Sequence, residues 1–184
     1  GMIMTADNFQ GMIVKGVAQE YDWTYLKTHL QEGEIPALTD SVASNRVLVS
    51  RSMADKLSLE VGDKLYTYYI EGNVRARRLT VSGIFQTNFS AFDDYFLITD
   101  MYTVRRLNGW EPDQVGGVEV AVSDYRFLDS VNDEIRGHIQ EQTDRYGAIY
   151  CSRTSEELYP QIFAWLDLLD TNVWVILILM IGVA

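Results

Sequence analysis

Residues 46–65 read RVLVSRSMADKLSLEVGDKL, and their order of signals decides the fold. Arg46-Val47-Leu48-Val49 is a short run of strand formers. Ser50 stands where a helix N-cap belongs, and Met53, Ala54 and Leu57 then recur on one helical face. Leu59 and Val61 lead into Gly62-Asp63, a turn that opens a new strand at Lys64. A strand, a short helix and a second strand within twenty residues predict a mixed α and β fold.

Outward from this core the pattern continues. Strands are predicted over 64–70 and 74–85, joined at Glu71-Gly72-Asn73, where Gly and Asn tolerate the positive φ of a tight hairpin. Arg75, Arg77 and Arg78 make the start of the second strand polar on both faces, so the hairpin tip projects beyond the core. Tyr66, Tyr68 and Tyr69 read as a sheet face. Tyr95-Phe96-Leu97-Ile98 is another strand. Asp100 then caps a helix through Tyr102, Val104, Arg105 and Leu107, which ends at Asn108-Gly109. Further on, Val118–Val122 and Gly147–Cys151 read as strands. Between them Asp124 caps a helix with Phe127, Leu128, Val131, Ile135 and Ile139 on one face. At the other end, Gly11–Val17 is a buried strand, and Trp23, Leu26 and Leu30 follow at helical spacing.

Thr154 to Glu157 fits a capping box, and Pro160 kinks or restarts the helix it begins. Ile162, Phe163, Leu166 and Leu169 form one apolar stripe opposed by Asp167 and Asp170. Past Thr171 the chain reads TNVWVILILMIGVA, apolar all round, with no charge after Asp170. An apolar helix end of this kind aggregates if left in water. Fourteen residues cover about 21 Å, short of the roughly 30 Å of hydrocarbon. Two readings stand: a membrane helix that continues past Ala184, with Trp174 in the interfacial belt, or a buried C-terminal core helix. Gly1 before Met2 looks like a tag scar and favours the first.

The expected class is therefore α+β in two lobes. An α/β lobe comes from both chain ends, 1–32 plus 115–165. A β-rich lobe, 36–112, is inserted into it. Residues 166–184 begin the membrane helix.

The net charge of −11 argues against nucleic acid and against lying flat on an anionic bilayer. Cys151 is the single cysteine, so no intrachain disulfide can form. His29 and His138 have no ligand-spaced partners, and no metal or cofactor is expected. There is no G-x-x-x-x-G-K-[ST], no G-x-S-x-G and no H-E-x-x-H, so no catalytic residue is assigned. Asp93-Asp94 reads as a polar loop rather than an acid–base pair, because neighbours in a strand point to opposite faces.

Four segments in this order resemble a known family: Val47–Leu65, Leu79-Thr80-Val81-Ser82-Gly83-Ile84-Phe85, Gly116-Gly117-Val118-Glu119-Val120, and the ending Met180–Ala184. Together they are similar to the extracytoplasmic domains of MacB/FtsX/LolCE-type ABC transporter permeases, nearest the lipoprotein-releasing LolC/LolE branch. The resemblance implies a Porter-like lobe for the chain ends and a Sabre-like lobe for the insert. It implies a permease in the inner membrane with this domain on the periplasmic side, and no catalysis by the domain itself. Its implied partners are a cytoplasmic ATPase subunit, a second permease copy or homolog, and a lipoprotein or its periplasmic carrier. The carrier-capturing hairpin of LolC is long. Here Tyr69–Arg77 is short, which points to a LolE-like partner or a homolog with another client. On this resemblance Tyr69, Glu71, Asn73 and Arg75 are the candidate partner-binding residues. Leu166, Leu169 and Asp170 are the hinge of a coupling helix, Thr154–Ala184, continuous from lobe to membrane. MacB-like efflux, FtsX-like recruitment of cell-wall hydrolases and a membrane-anchored enzyme are the alternatives.

Overall fold

The computed structural model describes residues 2–4, 9–38, 42–71, 73–145 and 147–183. It is α+β and divides into two compact units, Gly1–Gly117 and Val118–Ala184. The first unit runs β1 (Met2–Met4), β2 (Phe9–Gly11), β3 (Ile13–Val17), α1 (Thr24–His29), β4 (Leu30–Gly33), β5 (Arg46–Ser50), α2 (Arg51–Leu57), β6 (Lys64–Glu71), β7 (Asn73–Phe85), α3 (Ser90–Asp93), β8 (Phe96–Asp100) and α4 (Met101–Asn108).

The strand order is β2-β1-β6-β7-β5-β8-β3, with β4 paired to β7 off this path. β3–β8 and β5–β7 are parallel and the other pairs antiparallel. The two ends of the path, β2 and β3, are separated only by Met12. Cα atoms two residues apart lie within about 7 Å. The sheet must therefore curl round until its ends meet, and Met12 is buried at the seam. The single strand expected over 11–17 is in fact two, one serving each end of the ring.

Strands at the centre are buried on both faces. Val47, Val49, Leu97 and Ile84 join one apolar cluster with Leu65, Leu79 and Met53. Leu48, Phe85 and Ile98 join another with Val17 and Leu26. Successive residues point to opposite sides, which is why Arg46–Val49 is a continuous apolar run after its first residue.

Caps fall where local chemistry puts them. Ser50 accepts from the Met53 amide at 3.1 Å, and Asp100 from the Thr103 amide at 2.6 Å. Gly109 closes α4 at φ 68°. Two close approaches require glycine. A Cβ on Gly16 would lie 2.6 Å from Val104 Cγ2, where α4 crosses β3. Gly33, at φ 76°, has its Cβ position 2.8 Å from Gly83 Cα, where β4 meets β7.

The second unit contains a 3-10 turn (Tyr125–Phe127), α5 (Leu128–Ile139), α6 (Ser155–Leu158) and α7 (Pro160–Val183). Asp124 caps the 3-10 turn rather than α5 itself. The strands expected at 118–122 and 147–151 do not form. Among the described residues one bridge, Thr143 to Ile149, is made there. Val118 is 81% and Ile149 77% exposed. A strand needs a continuous ladder partner, and the described residues of the unit supply nothing beyond that bridge. Among its described residues no apolar side chain is buried.

The helix expected to run unbroken from Thr154 is interrupted. The Thr154–Glu157 capping box forms, but α6 ends at Tyr159 (φ −129°, ψ 54°) and Pro160 starts α7. Proline lacks the N–H that would continue α6 and suits a first helical turn. The expected grouping of 1–32 with 115–165 stands as a proposal. Residues 13–17 and 30–33 do hydrogen-bond into the same sheet as 46–50 and 96–100.

Candidate partner-binding hairpin and coupling helix

The β6–β7 hairpin runs in register from Lys64 opposite Thr80 to Glu71 opposite Asn73. Its alternation sorts the side chains. Leu65, Thr67 and Leu79 turn to the core and are essentially inaccessible. Tyr69 and Arg75 are directly opposite on that same side.

Of the four candidate partner-binding residues, these two carry structural work. The Arg75 guanidinium donates to the Leu107 carbonyl at the C-terminus of α4. That end of a helix has unpaired carbonyls and a negative partial charge, so a cation is favoured there. Arg75 thus ties the hairpin to α4. Among the described residues the buried Tyr69 hydroxyl has no hydrogen-bond partner of good geometry. The nearby Thr67 hydroxyl is turned to the Arg77 carbonyl at 3.3 Å. Burial pushes the Tyr69 phenol above its usual pKa. Glu71 and Asn73 face each other across the turn, and their side chains lie outside the described residues.

The acidic residues near β8 are consumed by structure. Asp100 is fully buried and accepts from the Ser44 hydroxyl at 2.8 Å and the Thr103 hydroxyl at 2.9 Å, besides its cap bond. Asp93 accepts from Thr87 Oγ1 at 2.7 Å and from the Asn88 amide at 3.1 Å. Asp94 is held by the Ser52 hydroxyl and by Lys56 at 2.9 Å, which keep its carboxyl below the usual range. Asp93 and Asp94 fall at the end of α3 rather than in a loop, with both carboxylates engaged.

In the second unit Arg136 of α5 makes a bidentate pair with Glu157 of α6 at 2.6 and 2.8 Å. The pair holds the Glu157 carboxyl below its usual range, with the Thr154 amide adding to it. It also raises the Arg136 guanidinium. The cavity beside this pair is about 570 Å³, open, and walled by Ile139, Tyr150, Cys151 and Arg153. On α7, Leu169 is exposed, and Leu166 and Asp170 have side chains outside the described residues. From Val173 to Ile181 every residue is exposed, Trp174 to 67%. Among the described residues no helix is long and apolar enough to cross a membrane, and none of the His, Cys, Asp and Glu side chains cluster as metal ligands would.

Sequence reasoning missed the structural task of Arg75, because its partner is 32 positions away and no local pattern announces it. It also missed the Arg136–Glu157 strap, although the capping box had singled out Glu157.

Compared with known families, residues 3–138 match the MacB-like periplasmic core domain. The match covers the first unit from Ile3 and continues through α5 into the second. No curated protein matches the chain. Among solved structures, a crystallised domain assigned to a permease protein of Porphyromonas gingivalis aligns at 20% identity and TM-score 0.36. The alignment covers 76% of this chain and 65% of that domain, and a likeness of that size carries no argument.

Proposed function

The chain belongs to the MacB-like periplasmic core domain family, the extracytoplasmic part of ABC transporter permeases, and from that premise we propose that it serves a permease of the lipoprotein-releasing type. The domain stands on the periplasmic side of the inner membrane and carries out no catalysis. A cytoplasmic ATPase subunit drives it. A second permease copy or homolog completes the transporter, and the client is a lipoprotein or its carrier.

The observation that carries this reading is α7. Its described residues from Val173 to Ile181 are apolar and exposed, a surface that belongs in lipid rather than water. In this reading α7 enters the bilayer with Trp174 at the interface. Displacement of α7 reaches α6 across the break at Tyr159, and the Arg136–Glu157 pair passes it on to α5. Leu166, Leu169 and Asp170 lie at the membrane-proximal hinge, and the hairpin around Glu71 and Asn73 meets the client.

Two experiments test the proposal. A photo-crosslinker at Asn73 is used in an extract of the source envelope. A lipoprotein or its carrier in the crosslinked band supports it. A cell-wall hydrolase or an efflux adaptor would replace the lipoprotein client by an FtsX-like or MacB-like one. Separately, Gly-Pro substituted at Leu168 and Leu169 in the complete transporter should leave ATPase activity and abolish transport. Transport at the unaltered rate would end the lever idea.

A further inference from the structure

The outward face of the β6–β7 hairpin has no part in the reading above. Alternation puts Lys64, Tyr66 and Tyr68 of β6 on it, with Ala76, Arg78 and Thr80 of β7. Their strand neighbours Leu65, Thr67 and Leu79 are the buried ones. Tyr66 lies directly opposite Arg78, and Lys64 opposite Thr80. Lys64, Arg78 and Tyr66 are exposed and Tyr68 is half-buried.

Two features separate this face from ordinary solvated surface. The first is that its charges are uncommitted. Arg46 pairs with Glu34, Arg51 with Glu32, and Arg136 with Glu157, while Arg75 and Arg105 bind backbone carbonyls. The side chains of Lys64 and Arg78 make no ion pair or hydrogen bond among the described residues, and the outward positions of the two strands hold no acidic residue. In a chain of net charge −11 this is a local reversal of sign. The second is spacing. Lys64 and Arg78 are diagonal neighbours across the pair, about 7–8 Å apart at their backbones. Alternate residues of an extended chain are spaced by about 6.7 Å.

We propose that this face docks an extended acidic segment of a partner polypeptide, with carboxylates on alternate residues meeting Lys64 and Arg78. Tyr66, directly opposite Arg78 and two residues along β6 from Lys64, packs its ring against the segment's side chains and backbone. Charge-assisted hydrogen bonds supply orientation. The overall negative charge repels nucleic acid and an anionic bilayer, and a single extended segment is narrow enough to avoid most of that repulsion. The proposal is independent of which client the permease serves.

The test is fluorescence anisotropy of a labelled, end-blocked Glu-Thr-Glu-Thr-Glu-Thr peptide titrated with the full chain in detergent micelles at low ionic strength. The same peptide with Gln in place of Glu, vesicles containing anionic lipid, and dextran sulfate are the comparisons. Expected is saturable binding of the acidic peptide, weakened by at least about tenfold in the Lys64→Gln/Arg78→Gln double variant. Tyr66→Ala should also weaken it, and Lys27→Gln, which removes an exposed cation of α1 rather than of the hairpin, should leave it unchanged. All four residues are solvent-facing, and far-UV circular dichroism checks that each variant stays folded. Absence of binding, binding indifferent to the double variant, or preferential capture of vesicles or dextran sulfate at this face would overturn the proposal.

Discussion

The two units of this chain solve the burial problem in opposite ways. The first closes a sheet into a ring and fills both sides of its central strands with apolar side chains. The second has an amphipathic helix, two extended segments and a long apolar helix, yet buries no apolar side chain among its described residues. Among its described residues only Asn132 and Thr154 are buried, both polar. The first unit therefore carries its stability internally. The second has the patterning of a packed structure, but the apolar face of α5 is no more than half-buried.

The sharpest break of this comparison is a truncation repeated in each unit. Phe85→Ala, at a fully buried site, should cost about 3–5 kcal/mol. Ile149→Ala, 77% exposed, should change stability by less than about 0.5 kcal/mol. Urea denaturation of the full chain in detergent checks both, and a large effect at Ile149 would mean that the second unit is packed after all.

Next in size is the close approach of α4 to β3. Gly16→Val forces atoms into the space held by Val104 and Met101 Cα, and overpacking of this kind costs about 1–3 kcal/mol. The variant's urea midpoint should fall. Gly137→Val, where nothing lies within 4 Å of the added carbon, should show no clash, only the small change in helix propensity.

Tyr69 offers a smaller effect with a pH signature. Its folded pKa is raised by burial, so the folded state holds the phenolic proton more tightly than the unfolded chain. The contribution is fully present below the unfolded value of about 10 and is lost as pH rises through the folded value. Tyr69→Phe removes a buried hydroxyl that lacks a partner of good geometry among the described residues, so stability at neutral pH should hold or rise by up to about 1 kcal/mol. The variant's alkaline loss of stability should also be shallower. Destabilisation at neutral pH would show that the hydroxyl has a partner.

The smallest effect lies in the second unit. Glu157 has its folded pKa lowered by Arg136 and Thr154. Its contribution is present above the ordinary glutamate range, near about 4.3, and is lost as pH falls through the lower folded value. Amide exchange at Leu158, which donates to Thr154, should therefore speed up, relative to its intrinsic rate, on acidification below that range. Glu157→Gln should remove most of this dependence. Exchange indifferent to both would show that the Arg136–Glu157 strap does not stabilise α6.

Local chemistry made much of the fold readable. Ser50, Asp100, Thr154 and Gly109 mark helix ends through bonds made within four residues, and the hairpin follows from Gly72 and its neighbours. What escaped depends on distant partners. Nothing in 9–17 reveals that its halves pair with β1 and β8. Val118–Val122 has strand alternation, but a strand exists only if something lies beside it. Tyr69 and Arg75 were chosen from an exposed hairpin tip. The register turns both toward the core side, where the hydroxyl of one is buried and the guanidinium of the other is spent on Leu107. Pro160 did announce a kink or restart, and the continuous helix expected beyond it gave that signal too little weight.

The seam at Met12 also has a consequence in time. β3 pairs in parallel with β8, Ile13 against Phe96, so roughly 80 residues must be made and gathered before that pairing can exist. Long-range parallel pairing is slow, because the entropy of closing the loop is lost before contacts compensate. During synthesis the hairpin of β6 and β7 emerges complete, its partners one residue apart across the turn, while residues 13–17 have left the ribosome long before and wait unpaired. The strand written near the start of the chain is among the last to find its place.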